Sequence, residues 1–276
     1  MIRMGHNPAL GSMRRASGQE VMGEGATYRG VALKTIYFAS VALLSAVVVL
    51  IALYWALRPV FEAVSGGYSP DPSDVNRAMG LLAAVLVGGM VVGFIGMLGT
   101  FFARRLIPVF GTIYTIGQGA VMGVMSGFAE LYVPGVVFAA LLATFTVFAV
   151  MSVLFFTGII QVGHRFRSVM RMVLISVLVF SLLYMLMIFI VPSLFVMFTN
   201  NPLWPLLSIG ISVVMIVVAS LMLLFDLSLI KEAVDNGLDK HYEWFGAFGL
   251  VVTLMWLYIE FLRLFLKLAA LVGRRR

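Results

Sequence analysis

The sequence predicts an all-α polytopic membrane protein built as a seven-transmembrane-helix bundle. Hydrophobic residues make up 62% of the chain and charged residues 11%, with a mean hydropathy of +1.08. A soluble domain carries about 25% charged residues, so this composition excludes that class. The long apolar runs have the length of a membrane-spanning helix, and none alternates as a membrane-spanning strand does. The 276 residues leave room for one membrane domain and no second soluble domain.

Seven apolar runs are each long enough to cross a bilayer as a helix. The predicted spans are 31–57, 78–102, 107–128, 133–160, 172–198, 203–231 and 245–272. Residues 1–30 are polar, glycine-rich and basic, and we expect a flexible cytoplasmic lead there. They do not form a signal peptide, because the apolar run that follows is too long and lacks a small-residue cleavage signature. The membrane domain is therefore expected over 31–272, and 273–276 form a basic C-terminal tail.

Polar or charged stretches separate most of the runs. A turn-rich, slightly acidic loop is predicted over 58–77, and Arg104 with Arg105 ends the second span. The basic stretch 164–171 is predicted as the loop before the fifth span, and 232–244 as an interfacial linker before the seventh. The basic stretches are most simply topology signals, with lipid headgroup contact as an additional use.

Lysine and arginine counts predict a cytoplasmic N-terminus, because cytoplasmic loops are enriched in these residues. Basic residues cluster before the first span, between the second and third, and between the fourth and fifth: Arg3, Arg14, Arg15, Arg29, Lys34, Arg104, Arg105, Arg165, Arg167 and Arg171. Seven crossings would place the C-terminus outside, yet the chain ends in three arginines. Either the last segment does not cross fully, or the other loops outweigh it.

Glycines recur at four-residue spacing in the second and third spans. Gly89 and Gly93 form one such pair, and Gly119, Gly123 and Gly127 extend another. Small residues at this spacing let helix backbones approach closely in lipid, so tight helix packing is the expected role.

Two carboxylates lie inside the last apolar segments, Asp226 in the sixth span and Glu260 in the seventh. An ionised carboxylate in hydrocarbon is costly, so such residues usually face the bundle interior and mark an ion or proton path. A structural role is equally open, because Trp256, Glu260, Arg263 and Lys267 share one helical face and Glu260 could form a local ion pair.

If the two carboxylates were within hydrogen-bonding reach, one would retain its proton towards neutral pH and the pair would titrate as a unit. Ionised, the pair would attract a hard cation such as calcium, but calcium takes six to eight oxygen ligands. Binding would therefore be transient, as conduction requires.

Three stretches of the chain resemble the Bax inhibitor-1 family of membrane proteins, and its bacterial branch in particular. FDLSLI around Asp226 is similar to the acidic motif of the family's sixth helix, and LYIEFLRLFLKL around Glu260 is similar to its seventh-helix motif. RRLIPVFGTIYTIGQGAVMGVMS resembles the start of its third helix, and Asn7-Pro8-Ala9 resembles a subgroup with longer tails.

The resemblance implies a seven-helix bundle with the last helix near the centre, in a bacterial plasma (inner) membrane. It also implies a pH-sensitive calcium leak channel gated by a proton-sharing carboxylate pair, Asp226 and Glu260, with an arginine latch at Arg104 or Arg105. The resemblance further implies that the two carboxylates bind calcium transiently. The partners it implies are the lipid bilayer, calcium ions and protons. The direction of the pH effect stays open.

The chain departs from the family pattern at three points. Glu260 replaces the usual aspartate, Gln118 stands where relatives often have glutamate, and the interval from Asp226 to Glu260 is about ten residues longer than in relatives. At 1.5 Å rise per residue, two straight helices joined by a tight turn would place the carboxylates at depths about 10 Å apart.

Other functions are weighed against the channel. An intramembrane aspartyl protease would also use two helical carboxylates, but its Gly-x-Gly-Asp motif is absent. A serine intramembrane protease is disfavoured further, because His6, His164 and His241 lie outside the predicted spans and leave no base. A regulatory protein that binds a membrane protease or stress factor is the main alternative, and a proton-coupled carrier is a lesser one. We expect no enzyme activity, no bound cofactor and no nucleic-acid partner, and the absence of cysteine excludes disulfides and thiolate metal sites.

Overall fold

The structure is a computed structural model, and it describes residues 25–190 and 203–273. Asn7-Pro8-Ala9, most of the predicted N-terminal lead, the end of the predicted fifth span and residues 274–276 of the basic tail lie outside the described residues.

Seven α-helices form the described part of the chain. They are α1 (Tyr28–Ser65), α2 (Pro72–Phe102), α3 (Ile107–Tyr132), α4 (Val136–Phe156), α5 (His164–Ile190), α6 (Trp204–Asp235) and α7 (His241–Gly273). Six of them, all except α5, are long and apolar enough by length and composition to cross a membrane. The described residues contain no strand, only an isolated bridge between Gly25 and Asp239. The chain is a multi-pass membrane protein.

Two predicted loops are shorter than expected. α1 continues through Pro59 to Ser65, and α2 begins at Pro72, where the Asp71 carboxylate accepts a hydrogen bond of 2.7 Å from the Ser73 backbone N–H. The basic stretch 164–171 was predicted as a loop but forms the first two turns of α5. Arginine has high intrinsic helix propensity, so a basic stretch beside an apolar run extends the helix beyond the hydrocarbon.

α7 lies near the centre of the bundle, as the family resemblance implied. It packs against α1, α3, α4 and α6, and half of its most apolar segment is buried within the protein. Of the six candidate spans, Arg104–Tyr132 has the same buried share and the other four have less. Glu260 on α7 is therefore shielded by the surrounding helices.

Small residues bring α3 close to α1 and α2, which confirms the packing role expected of the glycine pattern. A side chain at Gly119 would come within 2.4 Å of the Ala42 carbonyl oxygen on α1, and one at Gly117 within 2.5 Å of the Gly93 amide nitrogen on α2. The approach is backbone against backbone, which only glycine at these positions permits.

One end of the bundle collects the start of α1, the α2–α3 turn, the α4–α5 connection and the α6–α7 connection; we call it the N-terminal face. The Ala26 amide donates to the Leu238 carbonyl at 2.7 Å, and His241 Nε2 donates to the Arg104 carbonyl at 2.5 Å. Tyr28 packs edge-on against Phe156. These contacts require successive helices to run in alternate directions.

At the opposite face, the Lys267 ammonium of α7 donates to the Ser208 carbonyl at 2.9 Å, only four residues from the start of α6. α7 therefore runs the full length of α6. By length and composition, α7 is also long and apolar enough to cross a membrane.

Candidate functional site

Asp226 lies on the side of α6 that faces α7. It is 6% exposed, and its carboxylate accepts a hydrogen bond of 2.5 Å from the Thr253 hydroxyl of α7. Gly249, one turn earlier on α7, lies beside the carboxylate. A Cβ atom at this position would be 3.5 Å from Asp226 Oδ1, an ordinary van der Waals contact. Within residues 25–190 and 203–273, no lysine, arginine or histidine pairs with Asp226, and the Thr253 hydroxyl is the side chain that hydrogen-bonds this buried acid.

Glu260 lies seven residues beyond Thr253 on α7, and it is 4% exposed. Its carboxylate accepts a hydrogen bond of 3.2 Å from Arg263 Nη1, three residues along the same helix. The local ion pair that the sequence left open is therefore formed. Lys267 lies one further turn along and bonds Ser208 and Ser212 of α6, so two cations accompany one anion in this half of α7.

The register of α6 against α7 keeps the two carboxylates apart. Asp226 bonds Thr253, and Ser212, fourteen residues earlier on α6, bonds Lys267, fourteen residues later on α7. The same antiparallel register places Glu260 level with Ala219, seven residues before Asp226. At 1.5 Å per residue, the two acids are offset by about 10 Å along the helix axes.

The directly paired, proton-sharing carboxylates implied by the family resemblance are therefore not what this structure contains. No hydrogen bond joins Asp226 and Glu260. The physical reason is the long interval between them, which lengthens the helical hairpin and moves Glu260 to a different depth, as the departure from the family spacing predicted. The structure brings the two acids onto one helix interface, but not to one point.

The predicted arginine latch is also not formed. Arg104 and Arg105 belong to a 3-10 turn, Arg104–Leu106, on the N-terminal face, and both side chains are exposed. The contact of Arg104 is made by its backbone carbonyl, with His241. The arginine that contacts a site carboxylate is instead Arg263.

The structure contains a third buried carboxylate, which is not among the site residues predicted from the sequence. Glu243, in the first turn of α7, is 1% exposed and accepts hydrogen bonds of 2.9 Å from both the backbone N–H and the hydroxyl of Thr27. It also forms an ion pair with Lys34 of α1, whose ammonium lies 5.1 Å from the centre of the Trp244 ring. This cluster joins the start of α1 to the start of α7.

One feature of the sequence indicates that Lys34 needs an acidic partner. Lys34 lies within the first apolar run, where an ammonium needs a partner. The positive-inside count instead groups Lys34 with the charges that set orientation, and the predicted interfacial linker 232–244 contains Glu243. Gly30 supports the cluster, because a side chain there would come within 2.2 Å of the Glu243 carboxylate.

The described residues contain no group of three or more His, Cys, Asp or Glu side chains that could hold a metal ion. Asp226 with Thr253, and Glu260 with Arg263, are two separate polar positions along one buried helix interface. Each offers a single carboxylate, which suits brief contact with a proton or a cation and not tight coordination.

The fold and the buried acids on its central helices define a polytopic α-helical membrane protein with intramembrane ionisable groups. The Bax inhibitor 1 like family matches residues 7–270, nearly the whole chain, and the chain belongs to that family. No curated protein and no solved structure matches it.

Proposed function

We propose that this protein is a pH-sensitive calcium leak channel of the bacterial inner membrane, with its N-terminus in the cytoplasm. The path follows the α6–α7 interface, and Asp226 and Glu260 act on it as successive positions instead of one shared site. Asp226 carries the proposal: it is buried between α6 and α7, and no basic side chain of the described residues neutralises it.

Physical chemistry makes Asp226 responsive to pH. A buried carboxylate without a cationic partner favours its protonated form. A cation that binds to it takes the place of the proton, so the two compete. A mobile cation near Asp226 would find one carboxylate and the Thr253 hydroxyl, too few oxygens for tight calcium binding. Weak occupancy favours passage over storage.

Glu260 and its two basic neighbours supply the second control point. The net positive charge of Glu260, Arg263 and Lys267 opposes cation entry into this half of α7. We therefore assign the role of latch to Arg263, which already holds Glu260, in place of Arg104 or Arg105.

Calcium flux into proteoliposomes across a pH series tests the proposal, with Asp226→Asn and Glu260→Gln as the site variants. We expect Asp226→Asn to reduce the flux and flatten its pH dependence. Glu62→Gln is the matched control, because Glu62 is an exposed acid that pairs only with Arg58 near the end of α1. Wild-type flux and wild-type pH response in both site variants would contradict a channel along this interface.

A regulatory membrane protein without transport is the second candidate. The observation that favours it is the internal neutralisation of Glu260 by Arg263, which is what a purely structural acid would show. Stoichiometric capture of a membrane protease or stress factor, together with zero calcium flux in liposomes, would select this function. We propose no enzymatic role, because the two acids do not lie together as hydrolysis by a carboxylate pair requires.

A further inference from the structure

A polar cavity of about 540 Å³ lies at the N-terminal face, away from the Asp226–Thr253 contact. Its walls come from the α4–α5 connection, the start of α5 and the last two turns of α6. The cavity is lined by two basic and two acidic side chains, Arg167, Lys231, Glu232 and Asp235. Its formal charge is therefore zero, but its charges are not all paired with one another.

The two basic groups of the cavity differ in their contacts. Lys231 is exposed and forms no hydrogen bond or ion pair in the described part of the chain. Arg167 forms an ion pair with Glu232 through Nη1, while its Nε is buried without an acceptor. An acceptor from outside the protein can reach the exposed Lys231 ammonium and the exposed part of the Arg167 side chain, which is 30% accessible.

One acid is similarly available. Glu232 is held by Arg167, but the Asp235 carboxylate has only a weak contact of 3.5 Å with the Tyr28 hydroxyl. Both Lys231 and Asp235 are exposed at the cavity, so a ligand with an anionic group for Lys231 and Arg167 and a cationic group for Asp235 would be complementary to its charges. A zwitterion fits this pattern better than an anion or a cation alone.

The position of the cavity indicates which zwitterion. It lies where α4 and α6 end and α5 begins, the level at which a bilayer presents its headgroups. Phe155, Ile160 and Val162 give it an apolar wall on which the start of an acyl chain can pack. Basic pockets between membrane helices are known to hold lipid headgroups by charge-assisted hydrogen bonds to phosphate.

We propose that this cavity binds the headgroup of an aminophospholipid such as phosphatidylethanolamine. The phosphate accepts hydrogen bonds from Lys231 and the Arg167 guanidinium, and the primary ammonium donates to the Asp235 carboxylate. The site is independent of the proposed channel, because it uses neither Asp226 nor Glu260.

Native mass spectrometry of the full-length protein in detergent tests this site. The protein is titrated with phosphatidylethanolamine, phosphatidylglycerol and phosphatidylcholine of identical acyl chains. We expect phosphatidylethanolamine to bind about tenfold more tightly than the other two, the effect of one charge-assisted hydrogen bond. Phosphatidylcholine lacks the N–H groups that Asp235 needs, and phosphatidylglycerol lacks the cation.

Two substitutions separate the two ends of the headgroup. Asp235→Asn should abolish the preference for phosphatidylethanolamine over phosphatidylglycerol, whereas Lys231→Gln should weaken both lipids by about tenfold. Arg77→Gln, an exposed arginine at the start of α2, should change neither. A general loss of fold would lower binding of all three lipids alike and would appear in the unfolding temperature of each variant.

Equal affinity for the three lipids in the wild-type protein, or an unchanged lipid preference in Asp235→Asn, would overturn the proposal. Soluble glycerophosphoethanolamine, which carries the same headgroup without acyl chains, is titrated as the last ligand. If it binds as tightly as the intact lipid, the cavity takes a soluble zwitterion and the lipid assignment is wrong.

Discussion

The Thr253 hydroxyl of α7 donates a hydrogen bond of 2.5 Å to the Asp226 carboxylate of α6, and both residues are buried. This bond fixes the register of the last two helices. It also gives this buried carboxyl group a neutral hydrogen-bond donor, in place of a basic partner, among the described residues.

Removing the Thr253 hydroxyl should destabilise the protein. Thr253→Val keeps the shape of the side chain but leaves Asp226 without its donor, and we expect a loss of about 1–3 kcal/mol in the free energy of unfolding. Unfolding in detergent measures it. Thr253→Ser retains the hydroxyl and is the control; equal losses in both variants would assign the effect to packing.

The α6–α7 register can be tested by disulfide cross-linking, since the natural chain has no cysteine. We expect Asp226→Cys with Thr253→Cys to form a disulfide on mild oxidation, and Asp226→Cys with Glu260→Cys not to do so, because an offset of about 10 Å exceeds the span of the bond. Efficient cross-linking of the second pair would show that the carboxylates meet.

The ion pair between Lys34 and Glu243 should contribute more to stability than exposed pairs do. Lys34→Met leaves a carboxylate buried without its cation, and we expect a loss of about 3–5 kcal/mol. Arg58→Met, which breaks an exposed pair with Glu62, should cost less than about 1 kcal/mol. A double-mutant cycle with Glu243→Gln measures the coupling, and additivity within about 0.5 kcal/mol would contradict a direct interaction.

Gly119 should tolerate no side chain. Gly119→Ala places a methyl group 2.4 Å from the Ala42 carbonyl oxygen, so α1 and α3 must separate, with an expected loss of about 1–3 kcal/mol. Gly88→Ala is the matched control on α2, where the added methyl meets nothing within 4 Å. Alanine also favours the helix there, by up to about 1 kcal/mol. Equal unfolding temperatures for the two variants would show that the close approach is not required.

Arg263 should restrain the leak if the channel exists. Arg263→Gln removes one of the two positive charges beside Glu260, so we expect faster cation entry and a higher rate of calcium flux in liposomes. Arg77→Gln is the control at a distant, exposed arginine. A lower flux in Arg263→Gln would show that this arginine supports the path instead of closing it.

Periodicity and composition predicted much of the fold. The end of the second helix at Phe102 and the start of the third at Ile107 agree with the predicted span ends, because paired arginines interrupt the apolar run there. The glycine spacing likewise predicted close packing. What helix lengths alone could not show is that α1 continues through Pro59 and that α5 begins at His164, since charged residues can extend a helix beyond the membrane.

Composition and run length alone predict seven apolar helices, of which six are long and apolar enough to cross a membrane, and they indicate that Asp226 and Glu260 face the bundle interior. These features follow from the sequence because residue type and run length set the cost of placing charge or unpaired backbone in hydrocarbon. The partners of the acids depend on the tertiary structure: Thr253 for Asp226, Arg263 for Glu260 and Lys34 for Glu243. Side-chain pairing depends on the register of helices distant in sequence, and a shift of seven residues moves a carboxylate by about 10 Å.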